Sequence, residues 1–349
     1  MASKTVTLQH SGKRFTVAEG ETVLAAALRQ GIHLPYGCRT GSCGTCRGRV
    51  LAGETHYPDG PPLALTALEV ESGETLLCRA VPRGDLTLDA KEITAMAKLR
   101  VKVMTCRVAR MEKLAHDVMA LYLRLPAVER MQFLPGQYID VLLAQNHRRS
   151  FSLANPPHDD ALLELHVRNV PGGVFSQEVF GQLHEGSLLR IQGPLGTFFL
   201  REHSHRPMVM MAGGTGYAPI QAILRHLFER DCKRDLVFYW GARAARDLYA
   251  HERLQEWTRR HPRFHYVPVL SEPQPDDAWT GRTGFVHDAV LADLADLSRH
   301  DIYLSGPPPM VQAARAAFPA HGARAQNMYS DSFDFPAEVR AALEVAASH

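Results

Sequence analysis

Cys38, Cys43 and Cys46 fall inside PYGCRTGSCGTCRG, residues 35–48, and Cys78 stands well downstream in TLLCRA. Three neighbouring thiols in a chain with six cysteines can hold a metal, close disulfides or form a redox pair. The spacing C-x4-C-x2-C with a distant fourth cysteine is one in which four thiolates hold a [2Fe–2S] cluster. A structural zinc site is the plainer alternative, but its usual paired C-x2-C knuckles are missing. No Cys-x-His pair exists, which argues against a Rieske-type cluster. Gly37, Gly41 and Gly44 let the backbone wrap closely and aim amides at sulfur. Cys106 and Cys232 lie outside the pattern and are expected to be ordinary buried thiols.

Four further segments carry phosphate-binding chemistry or polar groups beside glycine turns. In RRSFSLANPP, Arg149, Phe151 and Ser152 place a guanidinium, an aromatic ring and a hydroxyl within four residues. A guanidinium matches phosphate oxygens bidentately, although Phe151 alone would read as a core residue of an alternating strand. HVRNVPGGVFS puts Gly172 and Gly173 before a helix start, where free amides can cradle a phosphate. Gly213, Gly214, Thr215 and Gly216 follow an apolar strand and open a helix, again offering amides and a positive dipole end. Ser305, Gly306 and Pro307 in LSGPPPM close a later strand, and Phe333 ends YSDSF. The eighteen histidines show no ligand spacing and are expected mostly at the surface. No histidine or carboxylate is nominated as an acid–base catalyst.

Three segments must position these groups. Residues 1–93 open with TVTLQHSGKRFTVAEG, a strand, a Ser-Gly turn and a strand. ETVLAAALRQG follows as a short helix closed by Gly31, and GRVLAGE and DLTLDA read as later strands. Residues 94–100 form a linker. Residues 101–203 carry short alternating runs, VMALYLRLP, YIDVLLA, RSFSLAN, LLELHVRNV and SLLRIQG, which is an antiparallel barrel pattern. Residues 204–340 alternate strand and helix from PMVMMA to PMVQAARAAF, which implies a parallel sheet flanked by helices.

Composition narrows the partners. The chain has 349 residues, 45% apolar and 22% charged, with a formal net charge of +2. That balance suits a globular protein and gives no case for nucleic-acid binding. The start, MASKTVTLQHSGKRF, has no apolar signal region, and no apolar run approaches a bilayer span. A cytoplasmic, reducing location and no membrane association are expected, so the cysteines read as ligands more than as disulfides.

Taken in order, the cysteine loop, RRSFSLANPP, HVRNVPGGVFS, GPLGTFF, AGGTGYAP, YWGARAARDLY, LSGPPPM and YSDSF resemble the ferredoxin–NADP reductase superfamily. The chain is similar along about nine-tenths of its length to three-part reductases such as the terephthalate dioxygenase reductases and the CDP-6-deoxyglucoseen reductases. The resemblance implies a multidomain α+β and α/β fold: a β-grasp ferredoxin domain, an antiparallel β-barrel FAD domain and a parallel-sheet nucleotide-binding domain. It implies cluster ligands Cys38, Cys43, Cys46 and Cys78. Arg149, Gly172, Gly173 and Ser176 would hold FAD, and Arg168 would bind a cofactor. Phe151, where the family has tyrosine, would pack on the flavin, with Ser152 near its reactive nitrogen. Gly213, Gly214, Thr215, Gly216, Gly306 and Pro307 would take the nicotinamide nucleotide. Ser305 stands where relatives carry cysteine, and Phe333 matches an aromatic that covers the flavin. Arg243 lies where an adenosine ribose would sit; NADH is expected, with NADPH less favoured. Electrons would pass from NADH through FAD and the cluster to an oxygenase component, or alternatively to a CDP-sugar dehydratase, from a monomeric reductase. Arg39, Thr40 and Arg47 are the expected docking residues.

Overall fold

The structure, a computed structural model, describes residues 3–333. Residues 1 and 2, and residues 334–340 of the expected third segment, lie outside the described residues. The chain divides into two compact units, one of Met1–Leu99 with Gly196–Phe198, the other of Arg100–Leu195 with Phe199–His349.

In the first unit, β1 (Lys4–Leu8) and β2 (Arg14–Val17) form the expected antiparallel pair, with Val6, Leu8, Phe15 and Val17 turned inward. Helix α1 (Val23–Arg29) is capped by Thr22, whose hydroxyl accepts from the Ala25 amide at 3.3 Å. It ends before Gly31, whose φ of +74° reverses the chain. Strands β3 (Arg47–Ala52), β4 (Thr55–His56), β5 (Glu74–Leu76), β6 (Val81–Pro82) and β7 (Leu86–Asp89) follow, with helix α2 (Ala67–Glu71) between β4 and β5. The main sheet runs β2-β1-β7-β3-β5, parallel only between β1 and β7. Helix α1 buries Val23, Leu24, Ala26 and Ala27, giving a helix grasped by a mixed sheet. Thr197 belongs here: its hydroxyl donates to the Tyr36 carbonyl at 2.7 Å and accepts from the Tyr36 amide at 2.9 Å.

The second unit begins with a barrel of β8 (Lys102–Lys113), β9 (Val118–Arg124), β10 (Tyr138–Leu142), β11 (Arg148–Ser152), β12 (Leu163–Arg168) and β13 (Leu188–Leu195), with α3 (Val174–Gly181) before β13. The order is β11-β10-β13-β8-β9-β12, antiparallel throughout, and a bridge between Leu153 and Leu165 ties the two ends. Strand β8 was not among the runs expected from sequence. It points Met104, Cys106 and Val108 inward among Thr, Arg and Lys residues that dilute the apolar signal. Burial pushes the Cys106 thiol up to about 12. Cys232, expected to be buried, is half-buried.

A parallel sheet completes the unit. Its strands are β14 (Met208–Gly213), β15 (Leu236–Ala242), β16 (Phe264–Leu270), β17 (Arg282–Thr283), β18 (Asp301–Gly306) and β19 (Met328–Ser332). Helices α4 (Tyr217–Glu229), α5 (His251–Arg260), α6 (Val286–Asp293) and α7 (Pro308–Ala317) connect them. The order β17-β16-β15-β14-β18-β19 makes the chain run outward from β14 to β17 and then cross to β18 on the other side. In such sheets the ligand crevice lies at the carboxyl ends of the strands flanking that switch, here β14 and β18. Among the described residues no helix is long and apolar enough to cross a membrane.

Candidate functional site

Register in the first unit gathers the four cysteines. Cys46 leads into β3 and Cys78 follows β5, and the pairing of Arg47 with Leu76 brings the two ends side by side. The Leu77 amide then donates to the Cys46 carbonyl at 3.0 Å. The loop between Cys38 and Cys46 wraps tightly: a Cβ on Gly41 would fall 2.8 Å from Pro62 Cβ, and Gly41 and Gly44 both have positive φ. Cys43, Cys46 and Cys78 are buried, Cys38 is half-buried, and none forms a disulfide. The Thr40 amide points at Cys38 Sγ at 3.4 Å.

The sulfurs form two pairs. Cys38 bonds to Cys43, which drives the Cys38 thiol down to about 4, while the same bond and burial raise Cys43. Cys46 is raised by its bond to Cys78 and by burial. Around one zinc four thiolates would converge to about 3.8 Å of one another, given the Zn–S bond length. Among the described residues the set of three ligating side chains gathered within 4.8 Å is His116, Asp117 and Asp247, not the thiols. Two cysteine pairs, rather than four thiols gathered at one point, fit a two-iron cluster, which would take all four as thiolates.

In the second unit, Arg149 and Phe151 alternate onto one face of β11 and both are half-buried. Phe151 packs on Phe175 of α3 with ring centroids 5.3 Å apart, so the strand and the helix start are held together. At that start Gly172 has φ +73°, and a Cβ on Gly173 would lie 2.5 Å from Ser176 Oγ. Ser176 accepts from the Val170 amide at 3.2 Å and donates to the Gly173 carbonyl at 2.9 Å, so its hydroxyl braces the turn. Arg148, by contrast, is exposed and lies 3.7 Å from Asp140. An arginine, an aromatic ring and a glycine-built helix start grouped in this way fit a flavin dinucleotide.

The carboxyl ends of β14 and β18 approach backbone to backbone. A Cβ on Gly216 would stand 2.1 Å from the Ser305 carbonyl oxygen, and one on Gly306 2.9 Å from Gly213 N. A Cβ on Gly213 would meet Pro307 at 2.9 Å, and one on Gly214, φ +52°, would meet Arg168 Nη1 at 2.8 Å. Thr215 lies in the turn they make ahead of α4. Arg168, expected to bind a cofactor, lies against the nucleotide loop and pairs with Asp117 at 3.0 Å. Arg243 is exposed just beyond β15 and its carbonyl accepts from the Glu272 amide at 2.9 Å.

Flavin-segment and nucleotide-segment groups meet at the end of β19. Ser152 donates to Asp331 Oδ2 at 2.9 Å, Ser305 pairs with Asp331 across the sheet, and the Phe333 amide donates to the Gly306 carbonyl at 2.9 Å. The Ser305 and Ser332 hydroxyls are buried without a hydrogen-bond partner. Orphaned hydroxyls in a polar crevice fit a ligand with polar ring substituents. Asp331 was missed from sequence, although an acid flanked by serines in YSDSF was a visible signal.

A second missed group lies behind the site. Glu164 and His166 of β12 are buried, as are His33 and His226, while the other described histidines are exposed or half-buried. Glu164 bonds to His166 at 3.0 Å, Gln221 at 2.9 Å and Arg225 at 3.1 Å, and His166 also meets the Tyr249 hydroxyl at 3.0 Å. Burial works to raise the Glu164 carboxyl, but His166, Gln221 and Arg225 outweigh it and hold it at about 2.

Comparison with known proteins agrees with this geometry. Residues 6–83 match the 2Fe-2S iron-sulfur cluster binding domain, residues 105–200 the oxidoreductase FAD-binding domain and residues 210–316 the oxidoreductase NAD-binding domain. The CDP-6-deoxy-L-threo-D-glycero-4-hexulose-3-dehydrase reductase of Yersinia pestis is 40% identical over 95% of this chain and 98% of its own. Terephthalate 1,2-dioxygenase reductase component 1 of a Comamonas species is 37% identical, covering 91% and 94%. Among solved structures, an Amycolatopsis cytochrome P450 reductase superposes with a TM-score of 0.77 at 36% identity, covering 95% and 98%. The chain belongs to this family of three-part iron–sulfur flavoprotein reductases and is an NAD(P)H-dependent electron-transfer oxidoreductase.

Proposed function

We propose that this reductase uses NADH and, as a monomer, delivers single electrons to the oxygenase component of a multicomponent oxygenase. When bound, FAD would supply the conversion between a two-electron donor and a one-electron acceptor that this task needs. The chain's own residues bind and shield. Cys38, Cys43, Cys46 and Cys78 hold the exit centre in a largely buried pocket. Arg149 and the amides at Gly172 and Gly173 take the flavin pyrophosphate. The loop Gly213–Gly216 and Gly306–Pro307 seat the dinucleotide, and Ser152, Ser305 and Phe333 surround the reacting rings. The observation that carries the reading is the pairing of the four thiols, which suits one-electron exit. Asp247, in the turn after β15, and Asp277, reaching back from the segment after β16, favour NADH: their carboxylates accept from the Ala244 and Ala245 amides, beside the turn where a 2′-phosphate would lie, and would repel it. A kcat/KM at least tenfold higher for NADH than for NADPH is expected; the reverse ratio would overturn the choice.

A second reading, service to a CDP-sugar dehydratase, has the 40% identical Yersinia relative in its favour. Reconstitution with an oxygenase and, separately, with a dehydratase decides between them. Coupled hydroxylation with the first and none with the second supports the proposal.

A further inference from the structure

Trp240 has no part in the chemistry so far, yet it is the largest fully buried side chain of the molecule. It lies on β15 beside Ala212 of β14, two residues before Gly214. Its indole Nε1 donates to the Gly214 carbonyl at 2.9 Å, in a buried contact. The ring cannot swing away. Tyr217 stacks on it with centroids 4.7 Å apart, and Tyr249 meets it edge-on at 5.1 Å. The indole N–H is thus a fixed donor aimed at one peptide group.

That peptide is the one most in need of fixing. Gly214 has φ +52°, a conformation that glycine adopts freely and from which it can also leave freely. A flip of the peptide would turn its carbonyl toward the place where the adjoining amides meet a phosphate. On the other side the Arg168 guanidinium leaves no space for a side chain, as a Cβ would lie 2.8 Å away. The glycine needed for close approach therefore cannot be stiffened by substitution, and an outside donor has to hold it.

We propose that Trp240 is a positioning residue for nicotinamide nucleotide binding: its indole N–H locks the Gly214 peptide so that the amides of the Gly213–Gly216 turn face the dinucleotide pyrophosphate. It touches neither cofactor nor substrate. Its effect belongs to binding, not to turnover of bound nucleotide.

The test is Trp240→Phe in the full chain loaded with FAD and iron. Phenylalanine keeps an aromatic ring against Tyr217 and Tyr249 while removing the donor together with the second ring of the indole. Loss of a buried hydrogen bond predicts a rise of about tenfold in the Kd for NAD+, measured by calorimetry on the oxidised protein, and in the KM for NADH. Turnover at saturating NADH and FAD content per chain stay within about twofold. A Kd within about twofold of the parent protein's overturns the proposal, even if the melting temperature falls, because that is all a packing role would change. Should the variant fail to fold, the parent protein labelled with 15N-tryptophan decides. The Trp240 indole N–H resonance shifts when NAD+ saturates the site; a resonance that stays in place overturns the proposal.

Discussion

Arg149 reaches one side of β11 together with Phe151, and its guanidinium donates to the Arg148 carbonyl at 2.8 Å, leaving further N–H donors for a phosphate. Arg149→Ala removes a charge-assisted contact worth on the order of 1.5–3 kcal/mol, so FAD affinity falls roughly tenfold to a hundredfold. Flavin content after gel filtration at low micromolar protein checks it; full occupancy would show that the pyrophosphate is held elsewhere. Phe151→Tyr leaves the contact with Phe175 in place and adds a hydroxyl, and turnover stays within about twofold of the parent protein. Ser152 illustrates what sequence reading sees at this scale. Its place in the motif was legible. Its partner, Asp331, is 179 residues away and becomes visible only when β11 and the end of β19 are seen together.

At the scale of elements, the alternation of LLELHVRNV gave the strand and its inward face, Leu163, Leu165 and Val167. It could not say whether the opposite face is wet. Here Glu164 and His166 are covered by Gln221 and Arg225 of α4 and by Tyr249, and a polar face becomes a buried ion network. Strand β8 went unread for a related reason, since its outward residues outnumber the inward ones that define it. Cys78 was readable by spacing, whereas its route to Cys46 depends on the β3–β5 register. Because Glu164 is held at about 2 against an ordinary value of 4.5, its contribution is complete above pH 4.5 and is lost as pH falls toward 2. Glu164→Ala leaves Arg225 and His166 facing an unpaired site, at a cost of about 3–5 kcal/mol. In urea unfolding, the stability gap between the parent protein and Glu164→Gln should narrow by about 1 kcal/mol between pH 7 and pH 3.5. A gap that does not change with pH would mean that the carboxylate charge is not what stabilises the network.

For the whole molecule, the loop of Arg39, Thr40 and Arg47 is the docking face to test. Arg47 pairs with Glu69 and donates to the Ala64 carbonyl at 3.0 Å, and Arg79 pairs with Asp59 at 3.1 Å. Arg39, at φ +62° and half-buried, directly follows Cys38, so charge reversal there probes the rim of the cysteine loop. Arg39→Glu should raise the acceptor's KM more at low salt than at high salt, because exposed charge pairs are screened. Equal effects at both ionic strengths would move the docking face elsewhere.

The central claim is that electrons enter through the flavin and nucleotide segments and leave through the four-cysteine centre. Cys46→Ser, measured with NADH against two acceptors, tests it most directly. Ferricyanide can draw electrons without the cysteine centre, whereas cytochrome c and the natural partner depend on it. The account predicts ferricyanide reduction within about twofold of the parent protein and cytochrome c reduction lowered at least a hundredfold, a loss of about 2.7 kcal/mol or more in transition-state terms. Loss of both activities with FAD still bound, or retention of both, would contradict it.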